Sequence, residues 1–258
     1  MIFDTHVHYD DSAFDEDRSF ILESLRANGV ENVVNIGASI QSSKNTLELI
    51  KKYSWIYGAI GVHPSESSEL NDTLLGWIKE VAKHERVVAI GEIGLDYYWD
   101  EPSRDIQKYW FRKQLDTARE LKLPVVIHSR DAAKDTLDIM KEKDAGEIGG
   151  VIHCFSYGPE MAKAYLDMGF YLGIGGVVTF QNAKKLKEVV AYMPIEQLVL
   201  ETDCPYLSPV PNRGKRNTSL NLPFIIEEIS KIKKMSVDEV IDITNINANK
   251  LYRIKNYL

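Results

Sequence analysis

The chain has 258 residues, of which 44% are hydrophobic and 27% charged, a globular balance at the length of one α/β barrel, roughly 250 residues. Disordered and fibrous classes are excluded, and a core of this size needs no disulfide or metal merely to fold. Lys and Arg number 31 against 38 Asp and Glu, a net charge of −7, which argues against coating long nucleic acid through a broad basic face and leaves only a local basic pocket. Cys154 and Cys204 are the only two cysteines and fit a reduced intracellular chain. The start Met1-Ile2-Phe3-Asp4 lacks a signal peptide's charged and apolar regions, and no apolar run approaches the roughly 20 residues of a bilayer span. The expected address is the cytoplasm, with no membrane association and no obligate protein partner.

In chain order, short apolar runs rich in β-branched residues alternate with longer segments of helical spacing. Strands are predicted at residues 2–3, 32–36, 56–60, 87–90, 125–127, 150–152, 170–174 and 198–200, and helices at 16–27, 74–83, 103–121 and 131–143. Ile225, Ile229 and Ile232 mark one buried helix face, and Ser236-Val237-Asp238-Glu239 has the spacing of a capping box opening a last helix. No repeat or linker marks a domain boundary, so residues 1–258 are expected to form a single domain.

About eight such strands match the (β/α)8 TIM barrel, although an open doubly wound sheet shows the same alternation. The polar residues separate the two. His6, His8, His63, Glu92, His128, His153 and Asp203 all follow predicted strands, and reactive groups supplied by at least six strand ends belong to the carboxyl face of a closed barrel. Five of the chain's 6 histidines fall at or just past strand ends; only His84 is expected inside a helix.

In His6-Val7-His8, strand alternation points both imidazoles to one face, where they could hold one metal. Gly91-Glu92-Ile93-Gly94 places a carboxylate where an apolar strand leaves the core, a candidate bridging ligand. His128 and His153 each close an apolar run. Asp203, past the last strand, could bind metal and accept a proton from water, or cap the next helix. Taken singly, each has an ordinary structural explanation; together they describe a cluster suited to Zn, Mn, Co or Ni more than to Mg or Ca. Two divalent cations (+4) against Glu92, Asp203 and one hydroxide (−3) leave about +1, which attracts an anion such as phosphate. The loop from Pro209 to Asn217 adds Arg213, Lys215 and Arg216, and arginine clamps phosphate oxygens. Cys154 and Cys204, next to His153 and Asp203, should face away from the metals as buried packing residues if their strands stay regular.

These residues resemble the TatD-type metal-dependent deoxyribonucleases of the amidohydrolase superfamily. The matching segments are Asp4-Thr5-His6-Val7-His8, Gly61-Val62-His63-Pro64, Gly91-Glu92-Ile93-Gly94-Leu95-Asp96-Tyr97-Tyr98, His128-Ser129-Arg130-Asp131, His153-Cys154-Phe155-Ser156, the 175–180 segment, Glu201-Thr202-Asp203-Cys204-Pro205-Tyr206-Leu207 and Arg213-Gly214-Lys215-Arg216-Asn217. The resemblance implies two divalent metal ions per chain, Zn, Mn, Ni, Co or Mg. His6, His8, Glu92 and Asp203 would bind one, and Glu92, His128 and His153 the other. It further implies that Asp203 assists the attacking water and that His63, Tyr206, Arg213 and Arg216 lie near substrate phosphate. The implied substrate is DNA, cleaved 3′ to 5′ from short or single-stranded ends. Ser65, Tyr157 and Thr218-Ser219 depart from the family pattern beside substrate-facing loops. Hydrolysis of a carboxyl ester, lactone or aminoacyl-tRNA ester is the alternative expectation, and a non-catalytic metal-binding protein ranks last.

Overall fold

Each apolar run read from the sequence is a strand in the computed structural model, which describes residues 1–99 and 101–254. The strands are β1 (Ile2–Val7), β2 (Val30–Ile36), β3 (Ile56–Ile60), β4 (Val87–Asp96), β5 (Val125–Arg130), β6 (Gly150–Ile152), β7 (Tyr171–Ile174) and β8 (Leu198–Leu200). They form one eight-stranded sheet in sequential order with every ladder parallel. Helices connect successive strands: α1 (Arg18–Ala27), α2 (Ile40–Lys52), α3 (Asp72–Val81), α4 (Arg104–Leu121), α5 (Ala133–Glu142), α6 (Ala145–Ile148), α7 (Pro159–Asp167) and α8 (Lys184–Tyr192), with α9 (Leu222–Lys233) and α10 (Val237–Leu251) after the last strand. The fold is a nearly closed (β/α)8 barrel.

Local chemistry sets the helix starts. Asn71 caps α3 by accepting from the Leu74 N–H, and Ser236 opens α10 with the expected capping box to Glu239. Ile225 and Ile229 of α9 are fully buried as the spacing requires, while Ile232 is only partly covered. His84, expected in a helix, lies instead in the turn between α3 and β4, because α3 stops at Val81.

The core has two parts. A large cluster lies between the sheet and the surrounding helices. A smaller one, with Phe3, Val34, Ala59, Val126 and Val199, is drawn from strands around the ring, and Leu251 and Tyr252 at the end of α10 pack against it. The Tyr252 hydroxyl donates to the Thr5 carbonyl at 2.8 Å.

Between β1 and β8 there is no regular ladder, only an isolated parallel bridge of Val7 with Cys204. Single bonds close this seam: Thr5 Oγ1 donates to the Leu200 carbonyl, Asp203 N–H to the His6 carbonyl and His8 N–H to the Cys204 carbonyl. The buried Asp4 carboxylate accepts from both the backbone N–H and the hydroxyl of Thr202, at 3.0 and 2.7 Å. Burial pushes the Asp4 carboxyl up to about 7 despite these donors.

Strand β4 runs six residues past the predicted end at Ile90. Its pairing with β5 slips between Ile90 and Ile93, so Glu92 sits at an irregularity inside the strand rather than after it. Gly94 has φ +146°, and an added Cβ would stand 1.9 Å from the His128 carbonyl oxygen of β5. Gly94→Ala should cost about 3 kcal/mol or more of stability, read as a lower denaturant midpoint. Gly76→Ala on α3, where a Cβ meets nothing, is the control and should be neutral or gain about 0.5–1 kcal/mol.

Candidate metal centre

The carboxyl ends of the strands deliver their polar side chains to one cleft of about 830 Å³, whose lining includes His8, His63, Glu92, His128, His153 and Asp203. His6 lies beneath it, fully buried. Glu92 is the shared neighbour: its oxygens lie 2.7 Å from His128 Nδ1, 2.9 Å from His153 Nε2, 3.4 Å from His6 Nε2 and 3.8 Å from His8 Nε2. Asp203 Oδ1 closes the other side, 3.4 Å from His8 Nε2 and 3.6 Å from His6 Nε2. His6 and His153 stack with ring centroids 3.9 Å apart.

Neighbouring groups fix which imidazole nitrogens carry a lone pair. His8 Nδ1 donates to the Ile36 carbonyl at 3.0 Å and His128 Nε2 to Asp96 Oδ2 at 3.0 Å, which leaves His8 Nε2 and His128 Nδ1 as the free acceptor atoms of the neutral rings. His128 Nδ1 faces the Glu92 carboxylate, acceptor against acceptor, and His8 Nε2 lies 3.1 Å from His6 Nε2. Such an arrangement is repulsive unless protons or cations lie between the donor atoms, and it fits divalent metal. His6, His8 and Asp203 offer ligand atoms all within 4.8 Å of one another, as do His63, Glu92 and His128.

The ionisation of the site carries the same message. Burial pulls the His8 imidazolium down, but its bond with Asp203 and the charges of Asp203, Glu92 and Asp10 outweigh this and push it to about 9. His153, likewise opposed by burial, is held well above its usual range by the Glu92 charge and by Glu201. Glu92 would be raised by burial, yet the charge of His153 and bonds from His128, His153 and His6 hold it well below the carboxylate range.

His63 behaves differently. Its Nδ1 accepts from the Ser65 backbone N–H at 3.1 Å, with the Ser65 hydroxyl at 2.8 Å, so the ring proton sits on Nε2, 3.9 Å from Glu92. Burial and the adjacent His128 lower it to about 3, leaving a neutral ring that points an N–H donor at the cluster.

The other predicted site residues divide between the cleft and its surroundings. Tyr206 lines the cleft, with its hydroxyl donating to Asp11 at 2.8 Å. Arg213 stacks on Phe180 at 4.2 Å, and Arg216 makes a two-pronged ion pair with Asp17; neither is among the described residues lining the cleft. Cys204 is buried as expected. Cys154 is not packed away: β6 ends at Ile152 and Cys154 takes φ +45°, so alternation fails and the residue lines the cleft. Burial, then the charges of Asp203, Glu201 and Glu92, raise its thiol well above normal and keep it protonated.

Among the acidic residues that escaped the reading of the sequence, two stand behind imidazoles of the cluster. Asp96, noted only within a motif, holds the far nitrogen of His128. Glu201 is fully buried, accepts the Cys154 N–H at 2.6 Å and lies 3.6 Å from His153 Nδ1. Its place is made by Gly173 of β7, where a Cβ would fall 2.1 Å from the carboxylate. Glu201 Oε2 and the Nδ1 atoms of His6 and His153 have no hydrogen-bond partner.

A family profile described as "TatD related DNase" matches residues 3–253. The chain belongs to the TatD-related DNase family. It is 45% identical over 254 residues to the "uncharacterized metal-dependent hydrolase YabD" of Bacillus subtilis strain 168, covering 98% of this chain and 100% of that one. To the "3'-5' ssDNA/RNA exonuclease TatD" of Rahnella sp. strain Y9602 it is 33% identical, with 98% of each chain covered. The crystal structure of YjjV, a TatD homolog from Escherichia coli K12, superposes with a TM-score of 0.92 at 28% identity over 98% of both chains.

Because His8 stays protonated in the metal-free TatD-family chain up to about pH 9, divalent metal binding at pH 7 should release protons. Titration calorimetry in two buffers of different ionisation enthalpy should therefore give different heats, and the difference should shrink as pH rises past 9. Glu201→Gln, which removes the charge behind His153, should weaken metal binding about 10- to 100-fold in the same titration.

Proposed function

We propose that this TatD-family metal-dependent hydrolase cleaves phosphodiester bonds at short or single-stranded DNA ends, 3′ to 5′. The observation that carries the reading is Glu92, one carboxylate lying between two groups of donor atoms. Under this reading His6, His8, Glu92 and Asp203 hold one divalent ion, while Glu92, His128 and His153 hold the second. Bound ions would supply Lewis acidity toward the phosphoryl oxygens and lower the pKa of water at neutral pH. Asp203, whose carboxyl is held low in the metal-free site by the bond from His8 and the charges of His153 and His6 against the pull of burial, would accept the proton of the attacking water. His63, with its proton fixed on Nε2 by Ser65, donates to a phosphoryl oxygen as negative charge builds there. Arg130 is the only Lys or Arg among the described residues lining the cleft and serves as the clamp for a neighbouring phosphate.

One feature favours a second reading. Asp10 and Asp11 line the cleft beside His8, and an acidic wall suits a substrate carrying an ammonium group, such as an aminoacyl-tRNA ester. The basic loop separates the two readings less sharply than its sequence suggests, because Arg216 is committed to Asp17.

End-labelled single- and double-stranded DNA, assayed with a panel of Mn, Zn, Co, Ni and Mg, tests the leading reading directly. Glu92→Gln should lose at least about 100-fold in turnover. Asp203→Asn should depress kcat far more than it raises KM. Wild-type turnover by Glu92→Gln would overturn the mechanism, and hydrolysis of aminoacyl-tRNA with none of DNA would replace the substrate.

A further inference from the structure

Beside the metal cleft lies a second groove, also about 830 Å³ in volume, and Trp99 belongs to the walls of both. Trp99 therefore forms the ridge between them, 56% exposed. Its neighbour Tyr98 is 55% exposed, with the two rings edge to face at 4.9 Å and 88°. On its own face Tyr98 carries the Arg130 guanidinium at 3.8 Å, and Arg130 looks into the metal cleft. The two half-exposed rings form one aromatic surface, and Trp99 is the part of it that lines both grooves.

The two grooves differ in charge. The metal cleft has Arg130 and the cation-seeking donor cluster; the second groove's charged residues, among those described, are Glu66 and Glu101. A phosphate is repelled there. Its remaining wall is apolar at Trp99, Pro102 and Ile106 and carries the hydroxyls of Ser65 and Ser68. A flat, uncharged, hydrogen-bonding ring system is the ligand chemistry that this combination accepts. The volume lies within the range of small-molecule sites, about 300–1,000 Å³.

We propose that the second groove is a nucleobase subsite: the phosphodiester lies on the metal cleft beside Arg130, and an unpaired base of one flanking nucleotide stacks on Trp99 over the ridge. This rests on the nuclease reading above and adds to it the reason for a preference for frayed or single strands, since a paired base cannot turn onto the ridge. Ser65 couples the two sites, because the loop that lines the base groove also holds His63 in its donor tautomer.

The test compares wild type, Trp99→Ala and Trp99→Phe on a short single-stranded oligodeoxynucleotide and on the same oligomer with an abasic sugar at either position flanking the cleaved bond. Aromatic stacking is worth roughly a 10-fold change per base. Trp99→Ala should raise KM about 10-fold with kcat retained, and Trp99→Phe should recover most of the loss. One abasic position should raise the wild-type KM by a similar factor and cost Trp99→Ala nothing further. An unchanged KM in Trp99→Ala, or an abasic penalty undiminished in that variant, overturns the base subsite and leaves the nuclease reading standing. A wild type that cleaves no oligonucleotide with any metal overturns both.

Discussion

A single buried carboxylate organises this molecule. Glu92 is 3% exposed and has all five of the barrel-mouth imidazoles within 3.9 Å of its oxygens. Such a group is tolerable in a dry interior only if positive charge surrounds it. The opposed shifts of Glu92 and His153 express that demand in protons, and metal cations would meet it more fully. The surrounding structure is shaped to keep the arrangement rigid: Asp96 and the Ile36 carbonyl orient two of the rings from behind, and glycines let backbones and carboxylates approach where any side chain would intrude.

Much of this was legible in the sequence because barrel strands advertise themselves twice, as apolar runs and as the polar residue that follows each run. What could not be read depends on contacts between strands. Gly91 and Gly94 look like terminators of β4, yet they permit close packing against β5 and the strand continues through them. Glu201 reads as the polar end of an apolar strand; only the empty space at Gly173 on the neighbouring strand shows why its carboxylate is buried. The alternation rule placed Cys154 on the wrong side because it assumes extended backbone, and the chain turns left-handed one residue after His153. Arg216 looked available for phosphate until α1 brought Asp17 beneath it.

The charge sum now has a spatial meaning. Among the described residues, Asp10 and Asp11 line the cleft, Arg130 is its one Lys or Arg, and the adjoining groove is acidic or neutral. A polyanion gripped over many residues would be repelled by this surface. A short stretch of chain, anchored at one phosphate and one ring, would not. Among the described residues no helix is long and apolar enough to cross a membrane.

The unladdered seam between β1 and β8 also joins the two ends of the ring's strand order. His6 and His8 belong to its first strand and the residue after it, whereas Asp203, which faces them across the seam, follows the eighth. Glu92, His128 and His153 come from β4, β5 and the turn after β6, so that side of the cluster draws its donors from neighbouring strands away from the seam. Completion of the His6, His8 and Asp203 group therefore coincides with ring closure: opening the seam would part Asp203 from both imidazoles at once.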